Sequence, residues 1–317
     1  MNIDYILKKG LSIIGFPFTL TNMFINEKNK VSELGQLVEV NERKIHTIVS
    51  GNEDSKPTVI FDAGLSCCSI DWYYIQPEIS KFTRVVSFDR AGYGWSTPTK
   101  GMNTSEEVVD DLTQVLEKLV IYPPYILVGH SFGGLNMRLF ASKYPEKVAA
   151  LILIDAVHEN RYISKEWDEV RKRSHQKNFN LFRLGYITSG LGLPRLFKQP
   201  VGRKQLPEPF QKAINYIGYN PKMFEAVYKE FIHSEKSAKQ VANSKPINKE
   251  LPIWILSSNN SDPTWVEHQK LLCNLSNNTT QIKTDNGHSI HLENPELVIN
   301  IIREVFKKET GGSLLPF

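Results

Sequence analysis

Val128-Gly129-His130-Ser131-Phe132-Gly133-Gly134, directly after Tyr125-Ile126-Leu127, decides how the rest of the chain is read. Residues 125–128 form an apolar run of strand character and 135–143 have helical character, so the Gly-x-Ser-x-Gly pattern falls on the turn between a buried strand and a helix. A turn this tight leaves no room for side chains two positions before and two after the serine. It lifts the Ser131 hydroxyl off the sheet and aims the first amides of the following helix at the charge that forms on an attacked carbonyl. The bare pattern is common by chance. The strand before it, the helix after it and the late pair Gly287-His288 together point to a nucleophilic serine.

Composition sets the frame. The 317 residues are 41% hydrophobic and 23% charged, which is ordinary for a folded globular chain and excludes general disorder. The net charge of +4 is unevenly spread: residues 156–250 carry +9 and the rest −5. A basic segment of this kind suits anionic substrates or an acidic membrane surface, and equally a solvated helical surface rich in lysine. No run interleaves Lys or Arg with aromatics as a nucleic-acid groove would, so no nucleic-acid partner is expected. Cys67, Cys68 and Cys273 are an odd number with no metal-ligand spacing. They fit reduced thiols in a reducing, cytoplasmic compartment, with no metal expected.

Taken in order, the chain alternates. Residues 1–33 read as a leader in which Lys8-Lys9 precede a moderately apolar stretch, 10–25, interrupted by Gly15, Pro17, Thr19, Thr21 and Asn22. That stretch falls short of the roughly 20 apolar residues a membrane span needs. It is expected to be amphipathic or loosely ordered, compatible with peripheral membrane contact. Residues 36–40 and 44–50 read as a hairpin, and 58–62, 84–89, 148–154, 253–256 and 279–284 as further strands. Helical patterns follow at 105–120, 135–143, 263–273 and 295–306. This alternation predicts an α/β fold: a mostly parallel twisted sheet with helices on both faces, built from 34–155 and 251–310. Residues 156–250 break the rhythm, being helix-rich and basic, and are expected to form a helical cap above the carboxyl ends of the strands. Residues 311–317 read as a tail.

A serine hydroxyl needs a base within hydrogen-bond reach, and the base needs a carboxylate to fix its tautomer. His288 is the candidate base, since it follows a glycine after the last strand. His291 is expected behind the base or at the surface, and His130 to shape the elbow. Two acids compete. Asp262 follows the strand at 253–256, but Asp262-Pro263 also reads as a helix N-cap followed by proline at the first helical position. Asp155 ends the strand after the elbow helix, from where a carboxylate reaches the same imidazole. Both stay open at this point.

Residues from about 37 to 305 resemble the α/β-hydrolase superfamily. Asp89-Arg90-Ala91-Gly92-Tyr93-Gly94-Trp95-Ser96, Gly129-His130-Ser131-Phe132-Gly133-Gly134 and Gly287-His288 look like its capped esterase, lipase and peptidase-related members. The resemblance implies a cofactor-free hydrolase that works through an acyl-enzyme on Ser131. It also implies an oxyanion hole made of the Leu65 and Phe132 backbone N–H groups, and it keeps Asp155 open beside Asp262 as the acid, because an aspartate at the position of Asp155 is common among such members. In one respect the chain departs from the pattern: Asp62-Ala63-Gly64-Leu65 stands where many members carry His-Gly. The expected activity is hydrolysis of a small-molecule carboxylic ester. Aminopeptidase-like or amidase action, a lipase, and a non-catalytic ligand-binding relative are the alternatives. A dehalogenase is disfavoured because Ser131 stands where its carboxylate nucleophile would be.

Overall fold

The computed structural model describes residues 3–202, 206–259 and 262–312. Helices α1 (Ile3–Ile14) and α2 (Phe16–Lys28) precede a hairpin of β1 (Gln36–Val40) and β2 (Arg43–Ser50). Then come β3 (Thr58–Asp62), α3 (Gln76–Ile79), β4 (Val85–Phe88), α4 (Ser105–Lys118), β5 (Tyr125–His130), α5 (Gly133–Lys143) and β6 (Val148–Ile154). An inserted run of helices follows: α6 (Glu169–Thr188), α7 (Leu193–Leu196), α8 (Glu208–Gly218), α9 (Pro221–Ile232) and α10 (Ser234–Ala242). The alternation resumes with β7 (Ile253–Ser257), α11 (Pro263–Leu272), β8 (Thr279–Lys283), α12 (Ile290–Glu293) and α13 (Pro295–Glu309).

The strands form one sheet in the order β1-β2-β4-β3-β5-β6-β7-β8. The hairpin strands run antiparallel, and every pairing from β4 through β8 is parallel. A parallel sheet needs cover on both faces, and its central strands show why. Every residue of β5 is buried, and alternate side chains enter different cores. Ile126 and Val128, with Ala150, Ile152 and Ile154 of β6, pack among Ile79, Val298 and Ile302 on one face. Leu127, Leu151 and Leu153 pack among Leu112, Val115 and Leu139 on the other. Each such aliphatic side chain contributes roughly 2 kcal/mol by burial, so the strand ends are held in a fixed register.

That register sets Asp62 beside Gly129 and His130 beside Ile154, at the carboxyl ends of three neighbouring strands. In open α/β sheets this edge is where sites form. A third cluster joins Ile70, Tyr93 and Trp95 of the loops there to Ile214, Met223 and Val227 of α8 and α9, which roots the inserted helices over the same edge.

The N-terminal segment is a pair of helices and not a loose leader. Gly15 separates them, and Pro17 sits in the first turn of α2, where its missing N–H costs nothing. Among the described residues no helix is long and apolar enough to cross a membrane. Of the expected tail, only Gly311 and Gly312 lie within the described residues, and both have positive φ after α13.

Candidate active site

Ser131 is held at φ +51, in the left-handed region that a side chain seldom adopts. Two bonds pin it there: its amide donates to the Ile154 carbonyl at 3.1 Å, and the Val157 amide donates to the Ser131 carbonyl at 3.0 Å. The flanking glycines are steric requirements. A Cβ on Gly129 would come within 2.7 Å of the Gly134 Cα, and one on Gly133 within 2.4 Å of the Asp62 carbonyl oxygen. The spacing read from the sequence is therefore a packing constraint between β5, α5 and the end of β3.

His288 reaches the serine from the loop between β8 and α12. Its Nε2 lies 3.0 Å from the Ser131 Oγ and its Nδ1 2.6 Å from an Asp155 carboxylate oxygen. The histidine side chain is 42% exposed, whereas Asp155 is fully buried, so the dyad has one face open to solvent and a rigid back. The other Asp155 oxygen accepts from the Ser258 amide and from the Trp265 indole N–H, both at 3.0 Å. Asp155 itself has φ +40, and its amide donates to the Leu256 carbonyl at the end of β7. Behind the base, the His130 Nε2–H donates to the His288 carbonyl at 2.9 Å. His291, expected behind the base or at the surface, is fully buried, with its ring against His130 and Trp72.

The competition between the acids has a geometric outcome. Asp262 is the N-cap of α11, accepting from the Thr264 amide at 3.0 Å, and it binds Arg161 at 3.0 Å. Asp155 is the carboxylate that holds the imidazole.

The loop 63–65 carries the departure from His-Gly, and the structure shows what supports it instead. The Arg90 guanidinium donates to Asp62 and to the Ala63 carbonyl, both at 2.6 Å, and to the Gly64 carbonyl at 2.8 Å. Asn136 of α5 donates to the other Asp62 oxygen at 2.7 Å. From α9, Glu230 closes the network, binding Arg90 at 2.8 Å and accepting from the Tyr93 hydroxyl. Arg90, Asp62 and Glu230 are essentially without solvent contact. Burial opposes the Arg90 charge, but Glu230 and Asp62 outweigh it and raise its pKa well above the usual range. Burial pushes the Glu230 carboxyl up, partly offset by Arg90. Loop 63–65 is thus drawn tight against the elbow, with the Gly64 Cα so close that a Cβ there would lie 3.1 Å from the Ser131 Cβ. Among the described residues neither the Leu65 nor the Phe132 amide donates a hydrogen bond.

Sequence reasoning did not find Arg90 or Glu230 as part of the site. Arg90 lay in plain view after the strand-ending Asp89, in a stretch quoted for its family resemblance without a role for the arginine. Glu230 lies 140 residues further on, in an element whose packing no local pattern reveals.

A sheet with this topology, a strand-turn-helix serine and a histidine after the last strand defines an architectural class, and comparison with known proteins fixes the family. The model of the α/β hydrolase fold matches residues 57–295, and the chain belongs to that family of hydrolases. The uncharacterized protein YbdG of Bacillus subtilis is 25% identical over 287 residues, 86% of each chain. Human epoxide hydrolase 4 is 30% identical over 143 residues, covering 44% of this chain and 39% of its own. The α/β-hydrolase structure of ALR0039 from Nostoc sp PCC 7120 superposes with a TM-score of 0.68 at 17% identity, over 85% of this chain and 96% of that one.

Proposed function

We propose that the protein is a serine hydrolase that cleaves carboxylic esters through an acyl-enzyme on Ser131. The observation that carries this reading is the chain of two short contacts, Ser131 Oγ to His288 Nε2 and His288 Nδ1 to Asp155. His288 takes the hydroxyl proton as Oγ bonds to the ester carbonyl carbon. The carbonyl oxygen becomes an oxyanion facing the Leu65 and Phe132 amides. The intermediate collapses by expelling the alcohol, which leaves with the proton from His288. Water, deprotonated by the same imidazole, then attacks the acyl-serine and releases the acid. Asp155 keeps Nδ1 protonated and stabilises the imidazolium throughout.

The epoxide hydrolase relative raises a second chemistry, and the nucleophile argues against it. A serine that opened an epoxide would be left as an ether, which has no carbonyl for water to attack, so turnover would stop after one event.

The inserted helices, read as a cap, favour an apolar substrate. A cavity of about 420 Å³ lies among Leu181, Phe182, Leu193, Phe224 and Val227, and it reaches Ser66, the residue after Leu65. No charged side chain lines it among the described residues, a lining that suits an apolar acyl chain better than the ammonium group of an aminopeptidase substrate. An ester with an aliphatic acyl chain fits best. A fluorophosphonate probe and a series of p-nitrophenyl esters test the reading. Labelling and turnover that vanish in Ser131→Ala, with a preference for medium over acetyl chains, are the expected result. A folded wild type that neither labels nor turns over any ester would overturn it.

A further inference from the structure

The two N-terminal helices are inside out. On an ordinary surface helix the apolar stripe faces the protein and the polar face meets water. Here the only buried residue of α1 is Asp4, and the only one of α2 is Asn22. The polar and small residues Asp4, Lys8, Ser12, Gly15, Thr19, Asn22 and Asn26 recur at helical spacing and mark the inner side. They dock by hydrogen bonds and ion pairs. Asp4 binds Arg183 and Tyr228, Lys8 binds Glu225 at 2.9 Å, and the Asn22 amide donates to the Ser189 and Gly190 carbonyls. Arg195 reaches Asn26.

The outer side is apolar and bare. Phe16, Leu20 and Phe24, at i, i+4 and i+8 of α2, are 56%, 48% and 70% exposed, and Ile6 and Ile13 of α1 are 49% and 74% exposed. The exposed apolar residues continue onto the segment to which α2 is bonded: Leu181, Leu184 and Phe197 are each more than 60% exposed and rim the apolar cavity. A patch of this extent on a water-soluble surface marks a face that is normally covered.

We propose that this face docks on an anionic lipid bilayer, with α1 and α2 lying in the interface and the mouth of the cavity turned toward the lipid. Three observations select that occupant. At 12 and 13 residues the helices are too short to span roughly 30 Å of hydrocarbon but suit an in-plane position. Lys9 and Lys28 lie exposed on these helices and Lys30 just beyond them, where it pairs with Glu27 at 3.5 Å, and the segment 156–250 on which the helices dock has a net charge of +9, which complements anionic headgroups. A second copy using the same patch would set one basic surface against another, since a two-fold interface pairs a patch with itself.

The test is co-sedimentation of the full chain with phosphatidylcholine vesicles containing about one-third phosphatidylglycerol, in parallel with pure phosphatidylcholine. Binding to the anionic vesicles, weakened at least about tenfold by raised salt and by a Phe16→Ser/Leu20→Ser/Phe24→Ser variant, is expected. A thermal melt shows that the variant is folded and requires no activity, so the result stands whether or not Ser131 is the nucleophile. A wild type that stays in the supernatant with both vesicles would overturn the proposal. So would a folded triple variant that binds as well as wild type, or a wild-type dimer that ignores vesicles and is split by the same three substitutions.

Discussion

Among the described residues two histidine-aspartate pairs each have a serine beside them, and the two differ in what the imidazole reaches. His288 and Asp155 meet at 2.6 Å, with the imidazole half-exposed and its far nitrogen on the Ser131 hydroxyl. His46 and Asp89 meet at 2.8 Å, and both are fully buried. There the serine hydroxyl, of Ser96, is turned to the backbone: it donates to the Asp89 carbonyl at 2.6 Å and accepts from the His46 amide at 2.8 Å. Burial raises the Asp89 carboxyl, but the His46 ring and the Ser69 and Trp95 amides outweigh it and hold its pKa below the ordinary value. The second pair is a fastener for the loop after β4. What separates the pair proposed to act from the structural one is the exposure of the imidazole and the direction of the serine hydroxyl.

The comparison can be broken most directly at the serine. Ser131→Ala should reduce ester turnover by about 10⁴-fold or more and abolish fluorophosphonate labelling, with the melting temperature little changed. Next in size, Asp155→Asn should lower kcat by about 10³-fold by releasing the imidazole tautomer, whereas Asp262→Asn should cost only a few-fold in rate. Steady-state kinetics on the two variants reads the difference directly, and equal losses would contradict the assignment. Asp89→Asn should do the opposite of Asp155→Asn. It should cost about 3 kcal/mol in chemical denaturation while the folded fraction keeps its labelling rate. Glu230→Gln should fall between the two, lowering kcat about tenfold through a loosened loop 63–65 with a smaller change in KM.

A third histidine gives the smallest effect. Burial lowers the His158 pKa to about 4, and its Nδ1 accepts from the Asn160 amide, a bond that only the neutral ring can make. Above about pH 6.5 both folded and unfolded states are neutral there, so no penalty exists. As pH falls from 6.5 toward 4 only the unfolded chain takes the proton, so stability declines over that window. The expected reading is a melting curve of His158→Asn that falls less steeply with acid than that of the wild type.

Most of the sheet was legible because its period is local. The fully apolar strands 125–128 and 148–154 can only be buried on both faces, and the glycines around Ser131 announce the turn. His288 was legible from its glycine and its place after the last strand. Which carboxylate meets the imidazole was not, because Asp155 and Asp262 both sit at loop entries. What distinguishes them is contributed by Ser258 and Trp265, each more than 100 residues from Asp155. Asp262-Pro263 was itself a clear helix start, and it is one. The N-terminal helices misled for the opposite reason. Gly15, Thr19 and Asn22 look like interruptions of an apolar stretch, and they are the inward face of helices whose usual polarity is reversed.

The Arg90 network has an implication for redesign. Because Glu230 belongs to α9 while Asp62, Ala63 and Gly64 belong to the core, one guanidinium ties the inserted helices to the loop beside Ser131. Grafting a foreign insertion onto this scaffold to change its preferences would strip Arg90 of a counter-charge unless the graft brought a carboxylate to the same spot. Chimeras lacking one should show sluggish chemistry even when their new chamber admits the intended molecule.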